Sequence, residues 1–217
     1  MAAGGSTGLR VCAIADQHGF LPEIPACDIL LVAGDVCPVD DHRPDRQHHW
    51  LQGQFRQWLD DVPANAIVGI AGNHDFVEDD DDLMRSLPWT YLRDETAEID
   101  GLVVHGSPWT PTFGSWAFMR PDQELADHWA TIPDDVELLL THGPPRGFGD
   151  RTRSGEAAGS ETLARRVPEL PNLRLGVFGH IHEEGGYRTQ LGQAILANVA
   201  YVDESYRPAG RPPVFEL

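Results

Sequence analysis

Ile67-Val68-Gly69-Ile70-Ala71-Gly72-Asn73-His74-Asp75 is an apolar run that a glycine breaks and that an amide, an imidazole and a carboxylate follow at once. The run has the composition of a strand buried on both faces, and Gly72 supplies the tight turn that ends it. Ligands of open α/β sheets sit beyond the carboxyl ends of the strands, so polar side chains delivered there are placed for chemistry. Alone, Gly-Asn-His-Asp also reads as an ordinary turn followed by a helix cap. The remainder of the chain decides between the two readings.

The same arrangement recurs four times. Residues 10–15 read as a first strand that delivers Asp16 and His18, which face one side of an extended segment and can reach one ion. Residues 29–33 form a second strand, followed by Gly34-Asp35. Residues 136–140 deliver His142, and residues 173–178 deliver Gly179-His180-Ile181-His182. Five polar clusters, each within a residue or two of an apolar strand, weaken the ordinary-turn reading together. The pooled donors are imidazoles, two carboxylates and an amide, without thiolate. That set suits Mn, Fe, Zn or Ni rather than a thiolate-rich structural zinc site.

Between these strands the periodicity predicts helices over residues 48–59, 83–87, 123–130 and 161–167, the last capped by Ser160. Short strands are expected over 90–92, 97–99 and 102–105, and a hairpin over 186–190 and 193–197 with an extended tail to Leu217. The acidic run 78–82 lacks the alternating ligands and glycine of a calcium loop and reads as a negatively charged first helical turn. His42, His48 and His49 read as solvated loop and helix-start residues. In the loop 106–119, Trp109, Phe113 and Trp116 offer faces on which a base could stack, or pack the loop itself. Arg146 and Arg151 lie in a Gly- and Arg-rich segment, 146–159, suited to closing over a phosphate.

With 217 residues and 23.9 kDa, the chain has the size of one domain, expected over 1–217 with residues 1–8 as a flexible lead. A net charge of −18 and a pI near 4.7 oppose contact with long nucleic acid, although metal ions could still draw a phosphate into a local site. Three cysteines without metal-knuckle spacing read as reduced, mostly buried thiols. There is neither a signal-peptide pattern nor an apolar run of the ~20 residues that spans a membrane, so a soluble cytoplasmic protein without membrane contact is expected. Nothing here reads on oligomeric state.

The motifs Asp16–His18, Gly34–Asp35, Gly72–Asp75, His142 and Gly179–His182 resemble the scattered pattern of the calcineurin-like metallophosphoesterases. Further stretches, Gly-Ser-Pro-Trp-Thr-Pro from Gly106, Thr-His-Gly-Pro-Pro-Arg-Gly from Thr141 and Asn-Val-Ala-Tyr-Val-Asp-Glu-Ser-Tyr-Arg-Pro from Asn198, are similar to the metallophosphoesterase-domain-containing branch and its bacterial relatives. The resemblance implies a four-layer α/β/β/α sandwich with a dimetal centre at the strand carboxyl ends. It implies that Asp16, His18 and His182 hold one divalent transition metal, manganese first among the candidates, and that Asn73, His142 and His180 hold the other. Asp35 would bridge them, as only a carboxylate can do without deprotonation. A water activated between the metals would attack phosphorus in line. His74 would protonate the leaving oxygen, and Asp75 would orient His74. The expected activity is hydrolysis of small phosphodiesters, cyclic nucleotides (2′,3′ or 3′,5′) first among them. The alternatives are a phosphomonoesterase or phosphoprotein phosphatase, and a nucleotide-binding module with negligible turnover. The complete Gly-His-Ile-His pair favours a catalyst.

Overall fold

The computed structural model describes residues 8–77 and 80–217. Two sheets lie face to face. The first contains β1 (Arg10–Ile14), β2 (Cys27–Ala33), β3 (Ala64–Ile70), β4 (Thr90–Tyr91) and β13 (Val214–Glu216), in the order β13-β1-β2-β3-β4. Its four N-terminal strands run parallel, and β13 closes the edge antiparallel to β1. The second contains β5 (Glu95–Ile99), β6 (Leu102–Ser107), β9 (Leu138–Thr141), β10 (Leu175–Phe178), β11 (Arg188–Leu191) and β12 (Ala194–Asn198), in the order β11-β12-β10-β9-β6-β5. Its centre is parallel and both edges are antiparallel. A small ribbon of β7 (Thr110–Pro111) and β8 (Met119–Arg120) stands apart.

The twofold alternation of strand side chains builds the layers. Val11, Ala13, Ile29, Leu31 and Ala33 point into the space between the sheets, where they meet Leu138, Leu140, Leu175 and Val177. The intervening Cys12, Ile14, Leu30, Val32 and Leu139 face outward, toward helices. Burial on both faces is why these strands read as continuous apolar runs. Truncating an inter-sheet residue such as Leu31, fully buried, to alanine would cost about 2–5 kcal/mol.

The helices are α1 (Pro44–Trp50), α2 (Arg56–Asp61), α3 (Asp81–Arg85), α4 (Asp122–Trp129) and α5 (Glu161–Arg166). The helix expected over 48–59 is longer, and a single π turn, Leu51–Phe55, joins its halves α1 and α2. Ser160 caps α5 as expected, its hydroxyl accepting from the Leu163 amide. Asp80 caps α3 through the Leu83 amide, while Glu78 and Asp79 of the acidic run lie outside the described residues. The extended tail to Leu217 is tied down at its end, where β13 pairs with β1 and buries Phe215. Cys12, Cys27 and Cys37 are buried and unbridged. Among the described residues no helix is long and apolar enough to cross a membrane.

Candidate metal centre

The candidate ligands follow β1, β2 and β3 of one sheet and β9 and β10 of the other. Asp16, His18, Asp35 and His180 all have positive φ, of 52°, 45°, 54° and 68°. L-residues pay for that conformation in strain, and strain of this kind collects where the surrounding structure overrides it, commonly at functional sites. The loops lock together through main-chain groups. The Asp16 amide donates to the Gly34 carbonyl at 3.0 Å and the His18 amide to the Asp35 carbonyl at 2.9 Å. Across the sheets, the His180 amide donates to the Asp16 carboxylate at 2.9 Å, and within the second sheet the Gly179 amide donates to the His142 carbonyl at 3.0 Å.

The side chains converge accordingly. Ligand atoms of Asp16, His18 and His182 lie within 4.8 Å of one another, as do those of Asp16, Asp35 and His142. His18 Nε2 and His182 Nε2 face each other at 3.1 Å. His142 Nε2 lies 2.9 Å from Asn73 Oδ1 and 3.4 Å from Asp35 Oδ1. His142 Nδ1 must be the protonated nitrogen, because it donates to the Ala33 carbonyl at 2.9 Å and so leaves Nε2 for the centre. The ring of His180 packs against that of His142 at 5.2 Å.

These residues fit a pair of divalent cations. Two carboxylates are fully buried, and their ion pairs are with histidines. Burial would raise the Asp16 carboxyl, but His182 and His142 hold it below its ordinary value. Burial opposes the ionised Asp35 too, yet His142, His74 and His18 keep it well below. In answer, Asp35 outweighs burial at His142 and raises it to about 9. Burial pushes His18 down to about 4, and burial with His142 pushes His180 down to about 3. Ionised carboxylates beside the neutral rings of His18 and His180, with facing ring nitrogens, form an oxygen and nitrogen donor set that a cation satisfies better than protons do.

The other expected residues fall into two groups. His74, Phe113, Trp116 and Arg146 line a cleft of about 740 Å³ that opens on the centre. Trp116 lies against His74 with ring centroids 4.3 Å apart, and half-exposed Phe113 lies 5.2 Å from His180. Trp109 does not reach this cleft. It is buried, its indole N–H donates to Asp94 at 2.7 Å, and its ring packs on Phe118 and His128. Arg151 is also turned away, donating to the Gly155 carbonyl. Asp75 does not orient His74. Its carboxylate accepts from the amides of Gly72, Cys37 and Val36, tying the loop after β3 to the loop after β2. Burial, with Asp35, raises it to about 6.

Two site residues escaped the sequence reading. His42, read as solvated, places Nε2 3.1 Å from His74 Nδ1. Tyr206, in the tail, stands edge-on to His18 and His182 at 4.9 and 5.1 Å, at a positive φ of 56°. The only local signal for Tyr206 is Asp203, whose carboxylate accepts the Ser205 and Arg207 amides to form the turn.

Comparison with known proteins agrees with this geometry. Metallophosphoesterase domain-containing protein 1 of Homo sapiens is 29% identical over 238 residues, which span 96% of this chain and 71% of the human protein. A UPF0046 protein of Caenorhabditis elegans is 29% identical over 247 residues, spanning 96% of this chain and 60% of its own length. The crystal structure of the phosphopantetheinyl hydrolase of Mycobacterium tuberculosis superposes with a TM-score of 0.57 at 14% identity, covering 93% of this chain and 92% of that one. At that identity the likeness concerns the fold alone. Residues 10–184 match the family model of the calcineurin-like phosphoesterases. The chain therefore belongs to the calcineurin-like phosphoesterase family and is a metal-dependent phosphoesterase, a family whose members carry a dinuclear divalent metal site.

Proposed function

We propose that this phosphoesterase is a phosphodiesterase for small phosphodiesters, with cyclic nucleotides the favoured class. The observation that carries the reading is the charge and shape of the cleft. Asp122, Glu156, Glu161, Glu183 and Glu204 line it, against one arginine, Arg146, which Glu161 engages at 3.5 Å. A diester brings one negative charge, whereas a phosphomonoester approaches two at neutral pH and a polynucleotide brings many. An acidic rim penalises each added charge, so the diester is the class least opposed. Phe113, Trp116 and Tyr206 around the centre offer apolar faces to the organic arms of such a substrate.

In this reading Asp16, His18 and His182 would hold one cation, Asn73, His142 and His180 would hold the other, and Asp35 would serve both. The two cations would supply an activated water and neutralise the phosphate oxygens. His74 does the remaining chemistry. Its amide is fixed by Asp35 Oδ1 at 2.7 Å and its Nδ1 by His42, which leaves Nε2 to the cleft it lines. As the bond between phosphorus and the leaving oxygen breaks, the electron pair goes to that oxygen and the Nε2 proton follows it, leaving a neutral ring. A positioned general acid of this kind contributes about 10²–10⁴-fold.

The test is steady-state hydrolysis by metal-stripped protein reconstituted with Mn²⁺, comparing a p-nitrophenyl diester, the matching monoester, and 2′,3′- and 3′,5′-cyclic AMP. Turnover of the diester and of one cyclic nucleotide, with little on the monoester, is expected. Preference for the monoester would make the protein a phosphatase, and silence on all four with two metals bound would make it a binding module. His74→Ala is expected to keep both metals and lose about 10²-fold or more in kcat on the cyclic nucleotide.

A further inference from the structure

We infer that His42 is a positioning residue for the leaving-group acid, holding the His74 ring so that Nε2 rather than Nδ1 faces the scissile bond. The inference rests on the reading of His74 as that acid. The main chain at His74 is fixed without His42. Its amide donates to Asp35 Oδ1 at 2.7 Å, and its carbonyl accepts from Gln47 Nε2 at 2.7 Å. Gln47 is itself buried and completes the clamp by accepting the Phe76 amide at 2.7 Å. What the main chain leaves undecided is the rotation of the imidazole. An imidazole turned over exchanges Nδ1 for Nε2 and points its proton elsewhere, so an acid needs a partner for the nitrogen that does no chemistry.

His42 is placed to be that partner. Its Nε2 lies 3.1 Å from His74 Nδ1, and in the imidazolium that serves as acid the Nδ1–H is the donor to it, so that Nδ1 keeps its proton when Nε2 gives one up. The His42 ring is held in turn by Trp116 at 5.3 Å and Phe76 at 5.6 Å, two rings that do not titrate. Its loop is pinned by Asp41, which accepts the Arg43 amide at 3.1 Å and the Arg43 guanidinium at 2.6 Å. His42 therefore has a fixed seat and, among the described residues, one polar contact at the site. That contact is with the acid and not with the candidate metal ligands.

The experiment uses the Mn²⁺-reconstituted protein and two diesters with one methyl arm, methyl p-nitrophenyl phosphate and methyl phenyl phosphate. Nitrophenolate departs without a proton, whereas phenolate benefits from one, so loss of acid alignment should appear on the second substrate only. His42→Phe keeps the ring packing and removes the nitrogen. It is expected to lose about 10-fold or more in kcat on the phenyl ester and under about threefold on the nitrophenyl ester, with KM and metal content unchanged, within the range of a positioned acid. His42→Gln, whose amide can reach the same Nδ1, should restore most of the loss. In the metal-free protein, ¹H–¹⁵N spectra of His42→Phe should move the His74 Nδ1 resonance and leave the other imidazoles in place. Equal loss on both esters, or no loss on either, overturns the inference. His74→Ala run beside it separates the two readings: if it too spares the phenyl ester, the acid assignment fails; if it is selective while His42→Phe is not, only the role of His42 fails.

Discussion

A methyl group on Gly179 would collide with the Asp16 carboxylate oxygen and lie 2.5 Å from Ala15 Cβ. Gly72 stands in the same relation to Asp35 and to His142 Cε1, at 2.7 Å. The glycines of the two motifs are thus cradles for the carboxylates, as well as turn formers. Gly179→Ala should displace Asp16 and lower metal content from two per chain toward one, with phosphoesterase turnover down by about 10²-fold and overpacking costing about 1–3 kcal/mol. Elemental analysis after dialysis, with circular dichroism to check the fold, decides it. Two ions retained at full activity would remove Asp16 from the ligand set. At this scale the sequence was legible where residue type restricts chemistry. Aspartates and histidines at strand ends have few other uses. It was illegible where a side chain chooses among partners: Asp75 could equally have met His74 or three amides, and only the fold brings those amides to it. Trp109 and Trp116 have the same chemistry on the same loop, and burial beside Asp94 separates them.

The strands were legible as elements because burial on both faces removes the polar residues that would blur their limits. Their ends were less so. β2 begins two residues before the expected start, at Cys27, and the helix expected from residue 48 starts at Pro44, whose ring suits a first helical turn and whose neighbours are too polar to show periodicity. One element carries a pH dependence of its own. His105 on β6 is fully buried, accepts or donates at 2.9 Å with Thr96, and is pushed by burial, against Asp94, down to about 4 from an ordinary 6.5. The folded state resists protonating this ring. Its contribution to stability is therefore complete above the unfolded value, 6.5, and is lost as pH falls from there through about 4. Between about pH 7.5 and about pH 5 the loss is about 2 kcal/mol. His105→Gln keeps an amide for Thr96 and abolishes the titration, so its loss over the same interval should be smaller by that amount. Urea midpoints of both proteins at the two pH values measure it, and the difference between proteins cancels the site histidines. Parallel losses would mean that His105 is solvated during the transition.

The whole molecule meets at the centre: Asp16, His18, Asp35 and Asn73 come from one sheet, His142, His180 and His182 from the other. The recurring motifs made this legible, since five strand ends can share one site only if two sheets present their carboxyl edges together. Tyr206 and β13 were not: Tyr206 lies in the stretch quoted from Asn198 but only the fold brings its ring to His18 and His182, and the place of β13 depends on pairing with β1 rather than on its own pattern. The arrangement has a thermodynamic consequence. The candidate ligands are 69 to 166 positions apart between the sheets, from Asn73 and His142 to Asp16 and His182, so an unfolded chain cannot hold the set together, and cations would bind the native state alone. Each site then stabilises the fold by RT ln(1 + [M]/Kd), about 4 kcal/mol at a free concentration 1,000 times Kd. For a chain of this length 1 kcal/mol moves Tm by about 2–4 °C, so stripping one such ion should lower Tm by about 8–16 °C. The loss should be restored by Mn²⁺ in proportion to the logarithm of its concentration. Without cations the buried carboxylates keep only histidine protons for neutralisation, so the metal-free protein should also depend more steeply on pH than the loaded one. Calorimetry of chelated and reconstituted protein across a Mn²⁺ series measures both. A Tm indifferent to Mn²⁺, in protein shown to bind it, would mean that the unfolded chain binds the ions as well as the native one does, and the shared centre would have to be abandoned.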